Sequence, residues 1–470
     1  MVFSSLLFLF FFLPVTLLLY FCSPMKIKNL VLLVVSLIFY AWGEPIYIFL
    51  MVFSACIDYF HGLYIAKFRE HHKRKAKYIL ISSIVINIGL LSFFKYADFL
   101  IHNINQLFGT SMDPLQLPLP IGISFYTFQT MSYTIDVYRG RVQPQKNPIA
   151  LAMYVCLFPQ LIAGPIVRYE AIMNQLHNRT INQHQFSTGV KIFIIGLAKK
   201  VLLANNIGLL WNNIQSQELS EVTVLASWLG ILAFAFQIYF DFSGYSDMAI
   251  GLGKMFGFNF PKNFDYPYMS KNISEFWRRW HMTLGGWFRD YVYIPLGGSR
   301  KGKIRLYKNT LIVWALTGFW HGASWNFMLW GIYFGIIIMI EKAGFLIVLN
   351  KLHPFFQRLY FVFFILISWV LFLFEDVSDG FQYYLIMFGV SDNPMWNGQF
   401  IYDLYTNIIL FIILFIAVTP FVRTIHQQII KKCGGIVQIS SELIIYFLLL
   451  FLSTAFLVDA SFNPFLYFRF

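Results

Sequence analysis

Charge is what this sequence has least of. Of 470 residues only 12% are Asp, Glu, Lys or Arg, and only 22 are acidic. A water-soluble domain carries about 25% charged residues. With half that share a chain of this size cannot cover a surface facing water, which excludes a cytosolic enzyme. Together with 58% apolar residues it also excludes intrinsic disorder. Glycine, at 30 residues, is far too sparse for a collagen-like repeat. The four cysteines, Cys22, Cys56, Cys156 and Cys433, are scattered and form no CxxC pair. That excludes a disulfide framework and a thiolate zinc site, and predicts four reduced core residues. There is no GxSxG elbow, no HExxH helix and no other metal-ligand spacing. A serine triad and a metal mechanism have no support, and no bound metal or cofactor is expected.

What the chain has in abundance is apolar and aromatic surface. Aromatic residues make up 20%, with 54 Phe, and the mean hydropathy is +0.63. The solvent for most of this protein is lipid. The net charge of +13 belongs to loops between apolar runs, as the positive-inside rule collects them, and implies no nucleic acid. The run 2–21 has no basic residue before it, while Lys26 and Lys28 follow. That order is wrong for a cleaved signal peptide and predicts an extracytoplasmic N-terminus. Runs at 29–42 and 45–66 lead to 67–77, where six basic residues face Glu70 alone. Alternation puts this loop inside too. Further runs are expected at 79–96, 119–138, 186–210, 222–242, 311–319, 325–340, 355–374, 404–421 and 442–458. The run 149–163 reads equally as a re-entrant segment or a short crossing. Lys199-Lys200 suggest that 186–210 lies partly at an interface. The expectation is an all-α integral membrane protein of about eleven transmembrane helices plus re-entrant or interfacial ones, a single polytopic domain over 1–470.

Polar residues at membrane depth carry the functional information, because an ionisable group there costs about 2.5–3.5 kcal/mol. His321 sits in 320–327 (WHGASWNF), between two apolar runs, with Gly318, Gly322 and Ala323 leaving room for close approach. It reads equally as a reactive imidazole or as a packing-site histidine. The stretch 254–308 has eleven Lys/Arg and three acidic residues and no run able to cross. Within it, apolar residues at 276, 277, 280, 284, 287 and 288 keep helical spacing, capped by Asn272 or Ser274. Read alone, this is an aromatic surface anchor with His281 on its apolar side. Arg300, Lys301 and Lys303 follow a glycine turn and suit donor phosphates, or a positive-inside loop. Asp241 and Asp247 close the run 222–242. They could orient a histidine or hold a cation, or pair structurally. The glycines of 251–257 lack a preceding strand and the spacing of a nucleotide loop.

Five segments carry a family resemblance: 239–247 (YFDFSGYSD), 275–281 (EFWRRWH), 287–298 (WFRDYVYIPLGG), 320–327 and the tail 463–470 (NPFLYFRF). In that order the chain resembles the membrane-bound O-acyltransferases, in particular the bacterial alginate O-acetyltransferase-like branch. The resemblance implies a ring of helices around a central tunnel in the inner (plasma) membrane, with donor arriving from the cytoplasm and acceptor from outside. It implies that His321 is catalytic and that His281 is the second histidine paired with it. It also implies transfer from a thioester, acetyl-CoA above all, to a glycan hydroxyl, often with an extracytoplasmic SGNH-type acetyltransferase as partner. The chemistry is consistent: a neutral imidazole is the natural base for a hydroxyl proton, and thiolate leaves easily. His281 would position the donor or polarise its carbonyl as a hydrogen-bond donor. Trp280, Trp320 and Trp325 would line the tunnel, with Asn326, Asp241, Arg289 and Asp290 as further contacts. Two other readings stand beside it. One is D-alanyl transfer to teichoic acid from a carrier-protein thioester. The other is a transporter that uses His321, Asp241 and Asp247 as an ion path.

Overall fold

The computed structural model describes residues 1–162, 164–433 and 435–459. The tail motif at 463–470, Ala163 and the side chain of Cys433 lie outside the described residues. Every regular element among the described residues is helical. Among the described residues eight helices are long and apolar enough to cross a membrane: Ile48–Arg69, Lys73–Phe108, Gln183–Gln215, Val224–Met255, Trp325–Leu349, Pro354–Leu373, Gly398–Ala417 and Ile439–Asp459. Phe8–Cys22 and Lys28–Ala41 are apolar but shorter. The chain is an all-helical, multi-pass membrane protein. Of the cysteines, Cys156 is buried, whereas Cys22 and Cys56 are exposed on their helices and are not core residues.

The chain divides into two compact units, Met1–Phe193 with Tyr245–Lys262, and Ile194–Gly244 with Asn263–Phe470. The first is built on aromatic packing. Phe3, Phe8, Phe12, Phe39 and Phe158 pack as one cluster, with neighbouring ring centroids 5.0–6.2 Å apart. The run 149–163 resolves into two short buried helices, Pro148–Cys156 and Phe158–Leu161. Asn147 caps the first, and Leu157 leaves helical geometry at the join. The run 119–138 becomes Ile123–Arg139, a helix rich in Ser, Thr and Tyr and buried almost throughout. Its hydroxyls explain that burial. Ser83 donates to Asp58 Oδ1 at 2.7 Å and Asn87 Nδ2 to Asp58 Oδ2 at 2.7 Å. Thr130 then donates to Asn87 Oδ1 at 3.1 Å, and Ser83 lies 3.1 Å from the Thr134 hydroxyl. Three helices thus share one polar seam, sealed from lipid.

In the second unit Lys303–His321 and Trp325–Leu349 form a tight hairpin. Glycine makes it possible: a Cβ on Gly318 would lie 2.3 Å from the Phe327 carbonyl oxygen, and one on Gly331 2.4 Å from that of Trp314. Lys199-Lys200 fall within the long helical stretch Gln183–Gln215. They begin a π-helical turn, Lys199–Asn205, and Lys200 is buried in an ion pair with Asp241. Hydropathy ends the neighbouring run at 242, but the helix itself continues to Met255. Asp241 is therefore an interior residue of a long helix, not its terminus.

Candidate active site

Helical spacing predicts one helix across 274–288, and the structure breaks it. Ile273–Arg279 and Met282–Phe288 are separate short helices, joined at Trp280-His281. The first is fixed at its start. Asn272 Oδ1 accepts from the Glu275 N–H at 2.7 Å, and the buried Glu341 carboxylate accepts from the N–H groups of Ile273 and Ser274, both at 2.8 Å. At the break His281 has φ 41° and ψ 52°, the left-handed region. Such a backbone costs a non-glycine residue about 1–3 kcal/mol and persists only where its surroundings enforce it. Here two backbone bonds clamp the junction, Met282 N–H to Asn263 C=O at 2.9 Å and Asp265 N–H to Arg279 C=O at 2.9 Å. The expected surface anchor is in fact interior: Phe276, Trp280, His281, Leu284, Trp287 and Phe288 are all buried.

His321 is the last residue of its helix, and Gly322 follows in an extended conformation. A Cβ on Gly322 would lie 2.1 Å from the Phe327 ring, so only glycine lets the hairpin turn there. The His321 ring stands edge-on to Trp330 at 5.1 Å, to Phe372 at 5.4 Å and to Trp320 at 5.0 Å between centroids. The His281 ring lies 6.3 Å from the same Trp320 indole. Forty residues of sequence separate the two histidines, yet they flank a single tryptophan. His281 Nδ1 is 3.1 Å from Asn263 Oδ1. Complete burial pushes the His281 imidazole down to about 3, so it is neutral across the physiological range.

A cavity of about 250 Å³ opens beside His281, lined by His281, Trp277, Trp280, Arg289, Thr310, Thr317 and Lys342 among others; Trp320 and His321 are not among its lining residues. That volume suits the reacting end of a substrate, since whole drug-sized ligands fill about 300–1,000 Å³. Of the residues singled out by sequence, His281, His321, Trp280 and Trp320 come together. Arg289 lines the cavity and holds Asp290 through a two-pronged contact at 2.7 and 3.2 Å. Asn326 is buried and braces the hairpin turn, bonding Ser324 and donating to the Leu371 carbonyl at 3.2 Å. Trp325 is 56% exposed, against 4% for Trp320, and does not line the cavity. Asp241 pairs with Lys200. Arg300, Lys301 and Lys303 are exposed around the turn before Lys303–His321 and are not among the cavity residues. Among the described residues no group of three His, Cys, Asp or Glu is placed to hold a metal ion. Lys342, which lines the cavity, and Asn263, which contacts His281, were not singled out by the sequence pattern. Glu341-Lys342, two charges ending an apolar run, were a readable signal. Asn263 offered none.

Two buried histidines packed near one tryptophan, one of them lining an aromatic cavity, match what comparison with known proteins finds. Residues 145–386 match the membrane-bound O-acyltransferase family. A probable alginate O-acetylase, AlgI, of Azotobacter vinelandii is 36% identical over the whole of both chains. A peptidoglycan O-acetyltransferase of Helicobacter pylori is 38% identical over 73% of this chain and 71% of its own. A teichoic acid D-alanyltransferase of Streptococcus thermophilus is 31% identical over 47% of this chain and 57% of its own. The chain belongs to the membrane-bound O-acyltransferase family. It is a membrane acyltransferase of the O-acetyltransferase kind.

Proposed function

We propose that this enzyme takes an acetyl group from a cytoplasmic thioester, acetyl-CoA, and delivers it to a hydroxyl on an extracytoplasmic polysaccharide or on a partner acetyltransferase of the SGNH type. The observation that carries the reading is that His281 and His321 both lie near Trp320, with His281 also lining a cavity that presents two cations, Arg289 and Lys342. The basic stretches 67–77 and 254–308 support a cytoplasmic side for donor entry and an outward N-terminus. In the reaction, the hydroxyl oxygen attacks the thioester carbonyl while the His321 imidazole takes the hydroxyl proton. The tetrahedral adduct then collapses, the C–S bond breaks, and the thiolate recovers that proton from the imidazolium. The surrounding aromatic wall keeps water from competing for the acetyl group. Acetyl rather than D-alanyl transfer is favoured because the relatives named for O-acetylation match 73% of the chain or all of it, whereas the D-alanyl relative matches under half.

The test is His321→Ala in purified, detergent-solubilised protein supplied with labelled acetyl-CoA and a glycan acceptor. Transfer is expected to fall to background while the protein elutes and melts as the parent does. A variant that keeps its activity refutes His321 as the base. Labelled D-alanyl carrier protein serves as the competing donor; transfer from it alone refutes the acetyl assignment.

A further inference from the structure

We propose that Asn263 is a positioning residue that fixes the tautomer of His281, holding its proton on Nδ1 and making Nε2 a hydrogen-bond acceptor for an N–H or O–H of the substrate. The role assigned to the substrate rests on the acetyl-transfer reading above; the tautomer does not.

One atom in this contact has a fixed role. The backbone N–H of Thr283 can only donate, and it points at Asn263 Oδ1 at 3.3 Å. The amide of Asn263 is therefore oriented with oxygen, not nitrogen, toward the 281–283 turn. The Thr283 hydroxyl donates to the same oxygen at 2.8 Å. His281 Nδ1 lies 3.1 Å from that oxygen, and a carbonyl oxygen offers no proton. Nδ1 must then carry the hydrogen, and in the neutral ring Nε2 carries the lone pair. Burial of the ring keeps it neutral. The frame around the pair is rigid, since the two backbone bonds from 263 and 265 hold the left-handed turn at His281. Between the two roles open to His281, polarising a carbonyl as a donor and holding a donor group as an acceptor, this geometry selects the second.

The test combines a spectroscopic and a kinetic measurement on the full-length enzyme in detergent. Protein labelled with ¹⁵N-histidine is compared with His281→Gln to assign the His281 resonances among ten histidines. The expected spectrum has Nδ1 protonated and Nε2 unprotonated. Asn263→Leu should scramble that pattern and lower kcat/KM by about 10–100-fold, the range known for losing the partner that orients a metal-bound histidine. Asn263→Asp keeps the acceptor oxygen and should keep the tautomer. Its negative charge favours the imidazolium, so the acid limb of the pH–rate profile should move to higher pH. If Asn263→Leu raises KM for the thioester, the group held is an amide N–H of the donor; if it raises KM for the glycan, it is the acceptor's hydroxyl. A parent spectrum with Nε2 protonated overturns the proposal, as does Asn263→Leu with unchanged spectrum and kinetics. Should the leucine variant not fold, the parent spectrum and the aspartate variant decide alone. Parent enzyme that fails to transfer acetyl sinks the functional reading and leaves the tautomer result standing.

Discussion

Replacing Lys200 with methionine keeps the length of the side chain and removes its charge. The Asp241 carboxylate then stays behind in a site where both partners are almost wholly enclosed, at 2% and 3% side-chain exposure. Breaking a buried pair from one side costs about 3–5 kcal/mol, because the remaining charge loses its counter-ion in a place closed to water. Removing both charges is a different perturbation. Lys200→Met combined with Asp241→Leu leaves an apolar contact, and such replacements are often neutral or stabilising by about 1–4 kcal/mol. The double variant should therefore be more stable than either single one, a non-additive result diagnostic of direct coupling. The assay is the fraction of detergent-solubilised protein that stays monodisperse after stepwise heating, for parent, two singles and double. The geometry sharpens the expectation: a Cβ on Gly244 would lie 2.7 Å from the Gly196 carbonyl oxygen, so the two helices have no slack to admit water. Single variants within about 1 kcal/mol of the parent, the median for exposed pairs, would refute the reasoning. So would a double variant no better than the worse single.

Other substitutions probe the hairpin, the cavity and the junction. Gly318→Val forces a side chain against the Phe327 carbonyl, 2.3 Å from the Cβ position. It should cost about 1–3 kcal/mol or more in overpacking and lower transfer, because His321 lies one turn on; melting and activity should fall together. Lys342→Gln removes a cavity cation and should raise KM for the thioester about tenfold with kcat little changed, read from initial rates. Acid should destabilise the protein through His281. Its folded value is lowered to about 3, against an unfolded value of about 6.5. The stability it contributes is thus complete above about pH 6.5 and is lost as pH falls toward 3, by at most about 1.4 kcal/mol per pH unit. Comparing melting temperatures of parent and His281→Gln between pH 7 and 5 isolates that slope.

Membrane class and helical content were legible because they rest on composition, and the hairpin turn because it rests on a short segment that keeps its meaning locally. WHGASWNF places a small-residue turn at the end of an apolar run, and the hairpin turns there. The break at Trp280-His281 was not legible. Apolar residues keep helical spacing straight through it, and what opens the helix is a clamp from 263 and 265. Asn263 was missed for the same reason: its contacts with His281 and Thr283 exist only once the 281–283 turn is folded against it. Lys200 and Asp241 were visible as anomalies, yet each was assigned to a membrane edge, since forty-one positions separate the partners and only tertiary packing joins them. Periodicity likewise marked 119–138 as a helix without revealing that no lipid touches most of it.

That sheltered helix, Ile123–Arg139, constrains how the protein is made. Its row of hydroxyls and amides gives it little affinity for hydrocarbon, so it has no stable resting place in the bilayer until Asp58, Ser83 and Asn87 are there to receive it. Synthesis delivers those residues first, on the two preceding helices. Release from the insertion machinery must then be a joint event for all three segments rather than one helix at a time. Substitutions that disturb the receiving side, Asn87→Leu for example, should leave their mark during biogenesis, as an arrested or degraded nascent chain, before any effect on acetyl transfer can be measured.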